Sequence, residues 1–234
     1  MSPNQQVAWR QSVIQITRVH PPCPAPFDHH AARRAPAHDP VRARAVVAAL
    51  PTVATVAEEL DPVRRRDLGH PNHLEDLDLV TVGCWGGIVQ ISDPAFGEDG
   101  ILSTNLDNAF QAQVKAHPEA RITAVCEMYS AETYGKYLAH VPGQPDLAVD
   151  GWDEQFVTGD PARLLRAVGA NSGAPGAECL DPDQEEPYLG LEYLNLITCN
   201  LHSVWANERL MVSVFRVTRT EDVRYDIAEA WLRD

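Results

Sequence analysis

Two runs of β-favouring residues on either side of a glycine pair constrain the fold of this chain more than any other feature. Residues 79–85 and 88–92 contain most of the local valine and isoleucine, and Gly86 and Gly87 lie between them. Tight hairpin turns require positive φ angles, which glycine adopts without steric cost. The pattern therefore predicts a β-hairpin over residues 77–92.

Alternation of apolar and polar residues predicts further strands along the chain. They cover residues 12–20, 122–128, 134–141, 154–158 and 209–218. The last of these strands is apolar on both faces, which favours a central strand that is covered on both sides. Residues 189–197 fit a helix and a strand equally well.

Aspartate followed by proline marks two helix starts. The carboxylate accepts hydrogen bonds from free backbone N–H groups, and proline suits the first helical position. This pair begins predicted helices at Asp39 and Asp160, and apolar residues at helical spacing add helices over residues 106–116 and 220–232.

The stretch after the first of these helices is also predicted to be helical. Thr52 is placed to cap a helix, and the apolar stripe at helical spacing is Val53, Val56, Ala57 and Leu60. The aspartate–proline signal recurs at residues 61–62, so a short third turn is predicted to carry the arginines at 64–66. These arginines form either a solvated helix face or an anion-binding group.

Strands and helices in mixed order, together with a hairpin, predict the α+β class rather than a doubly wound parallel sheet. We expect a mixed, mostly antiparallel sheet with several short helices, in a single domain that spans residues 1–234. Residues 21–40 contain six prolines and are predicted to form a loop or flap. Residues 170–187 are rich in glycine, proline and acid, which predicts an acidic loop.

The charge of the chain is unevenly distributed. The net charge is −14; residues 1–66 carry nine basic against five acidic side chains, and residues 67–234 carry ten against twenty-eight. A surface this acidic repels nucleic acid and anionic lipid and attracts basic proteins. Every apolar run is far shorter than the roughly 20 residues that span a membrane, and the first residues do not resemble a secretory signal. We therefore expect a soluble, cytoplasmic protein.

Known cofactor motifs do not occur in the sequence. The phosphate-binding, dinucleotide-binding, serine-hydrolase and zinc-protease signatures are all missing, so no cofactor is predicted. Histidines at 29, 30 and 38, and at 70 and 73 with the carboxylates that follow, are ligand types that suit a transition metal. Their proline-containing loops favour surface turns instead, and no metal site is predicted. Five cysteines without a CxxC pair indicate reduced thiols.

Glu127 is the principal candidate for a catalytic residue. It lies in the strand predicted over residues 122–128, and a carboxylate that is desolvated there can act as a general acid or base. Tyr129 shares its face, and His140 belongs to the next strand; with Glu127 they form the predicted catalytic set. Arg121, on the same face, is a candidate ligand-binding residue. The alternative is a carboxylate that faces solvent on a half-exposed sheet.

Two tryptophans are further candidates for ligand binding. Trp85 lies in the run Gly-Cys-Trp-Gly-Gly, where glycines let a ligand approach the backbone and the indole can stack on a flat substrate. The alternative is that Cys84 and Trp85 belong to the core and the glycines form the turn. Trp152 lies in an acidic turn, where it suits either an anchor for a basic peptide or a packed edge residue.

Four segments of the chain resemble an uncharacterised actinobacterial family, a domain of unknown function. The segments are VGCWGGIVQISDP at 82–94, VAEELDP at 56–62, FVTGDPARLLRAVG at 156–169, and FRVTRTEDV with EAWL between 215 and 232. The similarity covers most of the chain from about Ile14 onward. It implies a soluble, cytoplasmic bacterial protein, and it carries over no catalytic residues.

Two functions of different classes fit these observations. The first is a soluble acidic binding protein, of the immunity or regulatory type, whose negative part neutralises a basic protein. The alternative is an enzyme of specialised metabolism that acts on a small-molecule ligand without nucleotide or metal. It would use carboxylate acid–base chemistry in a pocket beside the sheet, with residues 21–40 as a lid. Neither function involves nucleic acid or a membrane.

Overall fold

A computed structural model of the chain describes residues 11–23, 35–98, 104–129, 133–152, 155–169 and 210–232. Its strands are β1 (Gln11–Val19), β2 (Thr55–Arg64), β3 (Leu79–Trp85), β4 (Ile88–Ser92), β5 (Arg121–Tyr129), β6 (Thr133–His140), β7 (Leu147–Gly151), β8 (Gln155–Thr158) and β9 (Met211–Thr218). Its α-helices are α1 (Pro40–Ala48), α2 (Asn105–Ala116), α3 (Pro161–Ala167) and α4 (Glu221–Trp231). Short 3₁₀ helices occupy Arg65–Asp67, Leu74–Asp78 and Pro94–Phe96.

All nine described strands join one sheet. Their order is β2-β9-β3-β4-β1-β5-β6-β7-β8, and every neighbouring pair is antiparallel. The predicted α+β class with a mostly antiparallel sheet is therefore confirmed. The hairpin predicted over residues 77–92 is also present, because β3 pairs with β4 and Gly86 adopts a φ of +61° in the turn. β9 lies inside the sheet, in agreement with its two apolar faces.

Most of the other predicted elements are present as well. The strands predicted over 12–20, 122–128, 134–141, 154–158 and 209–218 correspond to β1, β5, β6, β8 and β9. Asp39 and Asp160 cap α1 and α3, and their carboxylates accept the backbone N–H groups of Arg42 and Arg163 at 3.0 and 2.9 Å. β7 has no counterpart among the predicted strands.

The helix predicted after Thr52 is wrong, because residues 55–64 form strand β2. Val56 pairs with Val217, so an apolar residue that fits a helical stripe lies beside β9 instead. The aspartate–proline pair at 61–62 falls at a register shift of β2, which is an edge strand and tolerates a residue without an N–H. Pairing with a distant strand here outweighs the local helix signals.

The two faces of the sheet differ in what covers them. The main core lies between one face, here named the helical face, and helices α1, α2 and α4. The strands contribute to this core Ile14, Ile16, Val80, Val82, Cys84, Val89, Ile91, Ala124, Cys126 and Met128, among others. On the opposite face lie two separate, smaller apolar clusters. One packs α3 against β5 to β7, and the other gathers Trp85, Leu210 and Val212.

A buried ion pair ties distant segments of the chain together. Arg219, whose side chain is fully buried, donates to both carboxylate oxygens of Asp93 at 2.8 and 3.0 Å. The hydroxyl of Thr52 and the backbone N–H of Ala95 donate to the same carboxylate at 2.5 and 2.9 Å. The carboxylate therefore fixes the segment before α4 to the loops that follow α1 and β4.

Some of the sequence predictions fall outside the described residues. They include the acidic loop over 170–187, the stretch 189–197, and residues 24–34 of the predicted flap. The single domain over residues 1–234 likewise stays a prediction. In the described part, Cys84 and Cys126 are buried free thiols, and Cys23 is half-buried and free.

Candidate active site

The face opposite the helices carries a band of polar side chains between its two apolar clusters. The register places Thr17 of β1 beside Gln90 of β4 and Thr123 of β5, so the three side chains share this face. Gln15 and Glu127 belong to the same face, and we refer to these five residues as the polar band. Four of them are almost fully buried, and buried polar groups require partners from the protein or from a ligand.

A hydrogen-bond network occupies the centre of the polar band. The Gln90 amide donates to Gln15 Oε1 at 3.0 Å and to Thr17 Oγ1 at 3.3 Å. Its carbonyl oxygen accepts from Arg65 Nε at 2.6 Å, and Arg65 comes from a 3₁₀ helix that follows β2. The Thr123 hydroxyl is buried and has no hydrogen-bond partner among the described residues. Hydrogen bonds therefore fix the side chains at the centre of the polar band, and the Thr123 hydroxyl remains without a partner among the described residues.

Glu127 lies at one end of the band and is held by two tyrosines. Only 2% of the residue is exposed, so the interpretation as a solvent-facing carboxylate does not hold. The Tyr129 hydroxyl donates to Glu127 Oε2, and the Tyr137 hydroxyl donates to Glu127 Oε1. Both carboxylate oxygens are therefore engaged, which fixes the plane of the carboxylate.

The positions of the two tyrosines follow from strand geometry. Tyr129 is two residues beyond Glu127, so it shares the same face of β5. Tyr137 pairs with Val125 on the neighbouring strand, which makes it a diagonal neighbour of Glu127. Burial, together with the charge of Glu127, raises the pKa of Tyr137, so its hydroxyl stays protonated as a donor. Tyr129 is 37% exposed and connects the buried carboxylate with solvent.

The structure does not bring the other predicted residues of this face to Glu127. Arg121 lies six positions away on β5, which corresponds to about 20 Å along the strand. His140 pairs with Ile122 and so belongs to the helical face. Its Nδ1 atom lies 2.7 Å from a carboxylate oxygen of Asp146. The predicted set is therefore reduced to Glu127 and Tyr129, and Tyr137 joins them.

Trp85 is packed rather than available for stacking on a ligand. It is 1% exposed, its indole N–H donates to the Met211 carbonyl at 3.0 Å, and it packs in the cluster with Leu210. A Cβ atom on Gly83 would lie 2.0 Å from the indole, which explains the glycine at this position. Burial raises the pKa of the neighbouring Cys84 to about 11, which makes a catalytic thiolate there unfavourable.

Trp152 also lies apart from Glu127. Its ring centroid is 5.5 Å from that of Tyr134, and it is half-buried against the main core on the helical face. This position agrees with the alternative of a packed edge residue. The two tryptophans and Arg121 thus do not form one ligand-binding group with the predicted catalytic residues.

A cluster on the helical face was not indicated by the sequence. Lys136 Nζ lies 2.9 Å from Glu98 Oε2 and also donates to Asp107. Burial raises the pKa of Glu98 to about 7, and Lys136 opposes this change. The three residues come from a loop, a helix and a strand, so no local spacing relates them. A carboxyl group with a pKa near neutrality is suited to proton transfer, although it also occurs in buried ion pairs.

A cavity lies at the same end of the sheet as Glu127. Its volume is about 340 Å³, which reaches the lower bound for small-molecule sites. Apolar walls come from Val63, Leu68, Leu79, Pro94 and Val214, and polar lining from Asp67, His70, Asn72 and Asp76. His70 Nδ1 accepts the backbone N–H of Ser12 at 3.3 Å, and the next residue, Val13, pairs with Glu127.

Comparison with known proteins gives a family but no function. Residues 1–234 match the model of a family described as "Family of unknown function (DUF6333)". Searches of curated proteins and of solved structures found no match. Among the described residues, every helix is too short or too polar to cross a membrane.

Proposed function

The chain belongs to DUF6333, a family of unknown function, and we propose that it is an enzyme that acts on a small molecule by acid–base chemistry. The observation that carries the proposal is the burial of Glu127 between two tyrosine hydroxyls. A carboxylate in a sheltered, fixed geometry is what proton transfer to or from a substrate requires. A bacterial origin, a cytoplasmic location and a role in specialised metabolism remain parts of the proposal.

The three residues take different roles in this mechanism. Glu127 is the proton acceptor, and Tyr129, which is partly exposed, passes the proton between substrate and carboxylate. Tyr137 is a positioning residue, because it is buried and holds the second carboxylate oxygen. The step requires no nucleotide and no metal at this site.

The cavity supports a particular class of substrate. Its apolar walls suit a compact apolar molecule, while Asp67 and Asp76 in its lining favour a substrate with an amine or another hydrogen-bond donor. The cavity and Glu127 belong to the same end of the sheet, but Glu127 does not line the cavity. A ligand held in the cavity would have to extend across β1 to reach the carboxylate on β5.

Native mass spectrometry of the protein purified gently from its source cells tests the proposal. We expect a small mass that is retained by the wild type and lost or reduced in Glu127→Gln and Tyr129→Phe. The matched control is Glu58→Gln, because Glu58 is exposed on the far edge strand β2. Conversion of the identified compound by the wild type, but not by Glu127→Gln, would support catalysis. Equal conversion by Glu127→Gln would remove Glu127 from the mechanism.

A second candidate function is an acidic binding protein, which the charge of the chain favours. The described residues carry 20 acidic against 14 basic side chains, and the remaining residues carry 13 against five. On β2 the exposed Glu58 and Glu59 lie near Arg216 and Arg44, at 3.8 and 3.0 Å, which partly neutralises that edge. In the same mass spectrometry experiment, a retained basic protein that is lost as salt is raised would support this function. Association that is independent of salt would contradict it.

A further inference from the structure

Two histidines and a glutamate meet at the end of the sheet that lies away from Glu127. His20 directly follows β1, His117 directly follows α2, and Glu119 precedes β5 by two residues. One ligand atom from each of these side chains lies within 4.8 Å of the other two. Val19 pairs with Arg121 whereas Val13 pairs with Glu127, so about 20 Å separates this cluster from the candidate active site.

The backbone holds the three residues in place before any ligand binds. His20 donates its backbone N–H to the Gly87 carbonyl at 2.9 Å, and His117 donates to the Gln113 carbonyl at the end of α2, also at 2.9 Å. The turn that carries His117 and Glu119 closes through the hydrogen bond from Ala120 N to the His117 carbonyl, at 3.0 Å. The cluster is thus built from fixed backbone positions, which lowers the cost of ordering ligands around an ion.

One pair of these side chains already has the spacing of two ligands on a small cation, and the third ligand atom lies within 4.8 Å of both. His20 Nδ1 lies 3.1 Å from Glu119 Oε1, and the two imidazole centroids are 5.1 Å apart in an edge-to-face arrangement. Two ligand atoms on a tetrahedral zinc ion are roughly 3.3 Å apart, given bonds of about 2.0 to 2.1 Å. The second ring nitrogen of His20, Nε2, is buried without a hydrogen-bond partner among the described residues.

The chemistry of the cluster selects a class of ion. Two imidazoles and one carboxylate match the His₂Glu set that holds zinc with an open position for water, whereas calcium and magnesium prefer oxygen ligands. Burial, and then the nearby Arg18, lower the pKa of both imidazoles. The positive charges of Arg18 and Arg42 oppose any cation at this cluster, so the bonds from the ligand atoms must outweigh that repulsion. The side chain of Glu119 is 56% exposed, so an ion can reach the cluster from solvent.

We propose that His20, His117 and Glu119 bind one divalent transition-metal ion of the zinc class, with solvent completing its coordination. This site was not indicated by the sequence, where His20 and Glu119 are 99 positions apart. It is independent of the proposed acid–base function, because it shares no residue with it. A bound ion would join the end of β1 to the turn between α2 and β5.

Calorimetric titration of the full-length, chelator-treated protein with Zn²⁺ tests the site. We expect one ion per chain for the wild type, and an affinity lower by about tenfold or more for His117→Ala and for Glu119→Ala. The matched control replaces His73, an exposed histidine elsewhere in the chain, by alanine. The control should bind like the wild type.

Cobalt substitution gives a second readout that does not depend on calorimetry. The wild type should show a visible Co²⁺ absorption spectrum that indicates nitrogen and oxygen ligands, and Glu119→Ala should lose or shift it. Because Glu119 is exposed, this variant keeps the proposal testable if His117→Ala does not fold. Wild-type affinity in both variants, loss of binding in the His73 control, or no binding to the wild type would each overturn the proposal.

Discussion

Replacement of Glu98 by glutamine tests the electrostatics of the buried pair with Lys136. Burial raises the pKa of Glu98 from its ordinary 4.5 to about 7 in the folded chain, despite the opposing charge of Lys136. In the unfolded chain the carboxyl group regains its ordinary value, so between these two values the folded state binds more protons. The contribution of Glu98 to stability is therefore largest at low pH and is lost as the pH rises towards 7.

The magnitude follows from the difference between the two pKa values. A change from 4.5 to about 7, at about 1.4 kcal/mol per pKa unit, corresponds to about 3 kcal/mol of unfolding free energy. Glutamine resembles the protonated carboxyl group and does not titrate. We therefore expect Glu98→Gln to match the wild type within about 1 kcal/mol at about pH 5, and to be more stable by about 3 kcal/mol at about pH 8.

Urea unfolding of both proteins across this pH range, followed by fluorescence and circular dichroism, measures the difference directly. Taking the difference between variants cancels the titration of all other groups. The exposed Glu58→Gln serves as the control and should follow the wild type at every pH. If Glu98→Gln is no more stable than the wild type at about pH 8, then Lys136 offsets the burial and the pKa of Glu98 is not raised in the folded chain, so the reasoning from burial is refuted.

Three further substitutions have expected effects on stability. Arg219→Met should lower the unfolding free energy by about 3 to 5 kcal/mol, because it leaves Asp93 charged and buried; a loss below about 1 kcal/mol in urea unfolding would contradict this. Gly83→Ala should lower the unfolding free energy by about 1 to 3 kcal/mol and change the fluorescence emission spectrum of Trp85, because the added methyl group meets the indole. An unchanged emission spectrum and an unchanged urea midpoint would contradict this prediction. Tyr137→Phe should lower the unfolding free energy by about 1 to 3 kcal/mol, because one carboxylate oxygen of the buried Glu127 loses its hydrogen-bond donor. Thermal unfolding measures this difference.

The elements that could be predicted from the sequence are those specified by local signals. The hairpin depends on Gly86 and Gly87, and α1 and α3 begin where an aspartate caps the chain before a proline. The same aspartate–proline signal failed at residues 61–62, where the partner strand β9 comes more than 140 positions later in the sequence. No window of local sequence contains that strand, so the outcome depended on tertiary pairing.

In the candidate site, too, the part specified by local sequence could be predicted and the part that depends on strand pairing could not. The two-residue period of a strand places Tyr129 beside Glu127, and this part was predictable. Tyr137 becomes a neighbour only through the register of β5 with β6, which the sequence does not fix. His140 was assigned to the wrong group for that reason, since the same register puts it on the other face and at the other end of the strand.

The position of β9 has a consequence for how the chain is made. Thr55 of β2 and Thr218 of β9 are hydrogen-bonded across 163 positions of sequence, so their pairing closes a very long loop. Until β9 has emerged from the ribosome, the side of β3 that it will cover presents unpaired N–H and C=O groups on an apolar strand. Nascent chains that stop before residue 211 therefore lack the strand that pairs with this edge of β3, and we expect them to aggregate through it more readily than the complete chain.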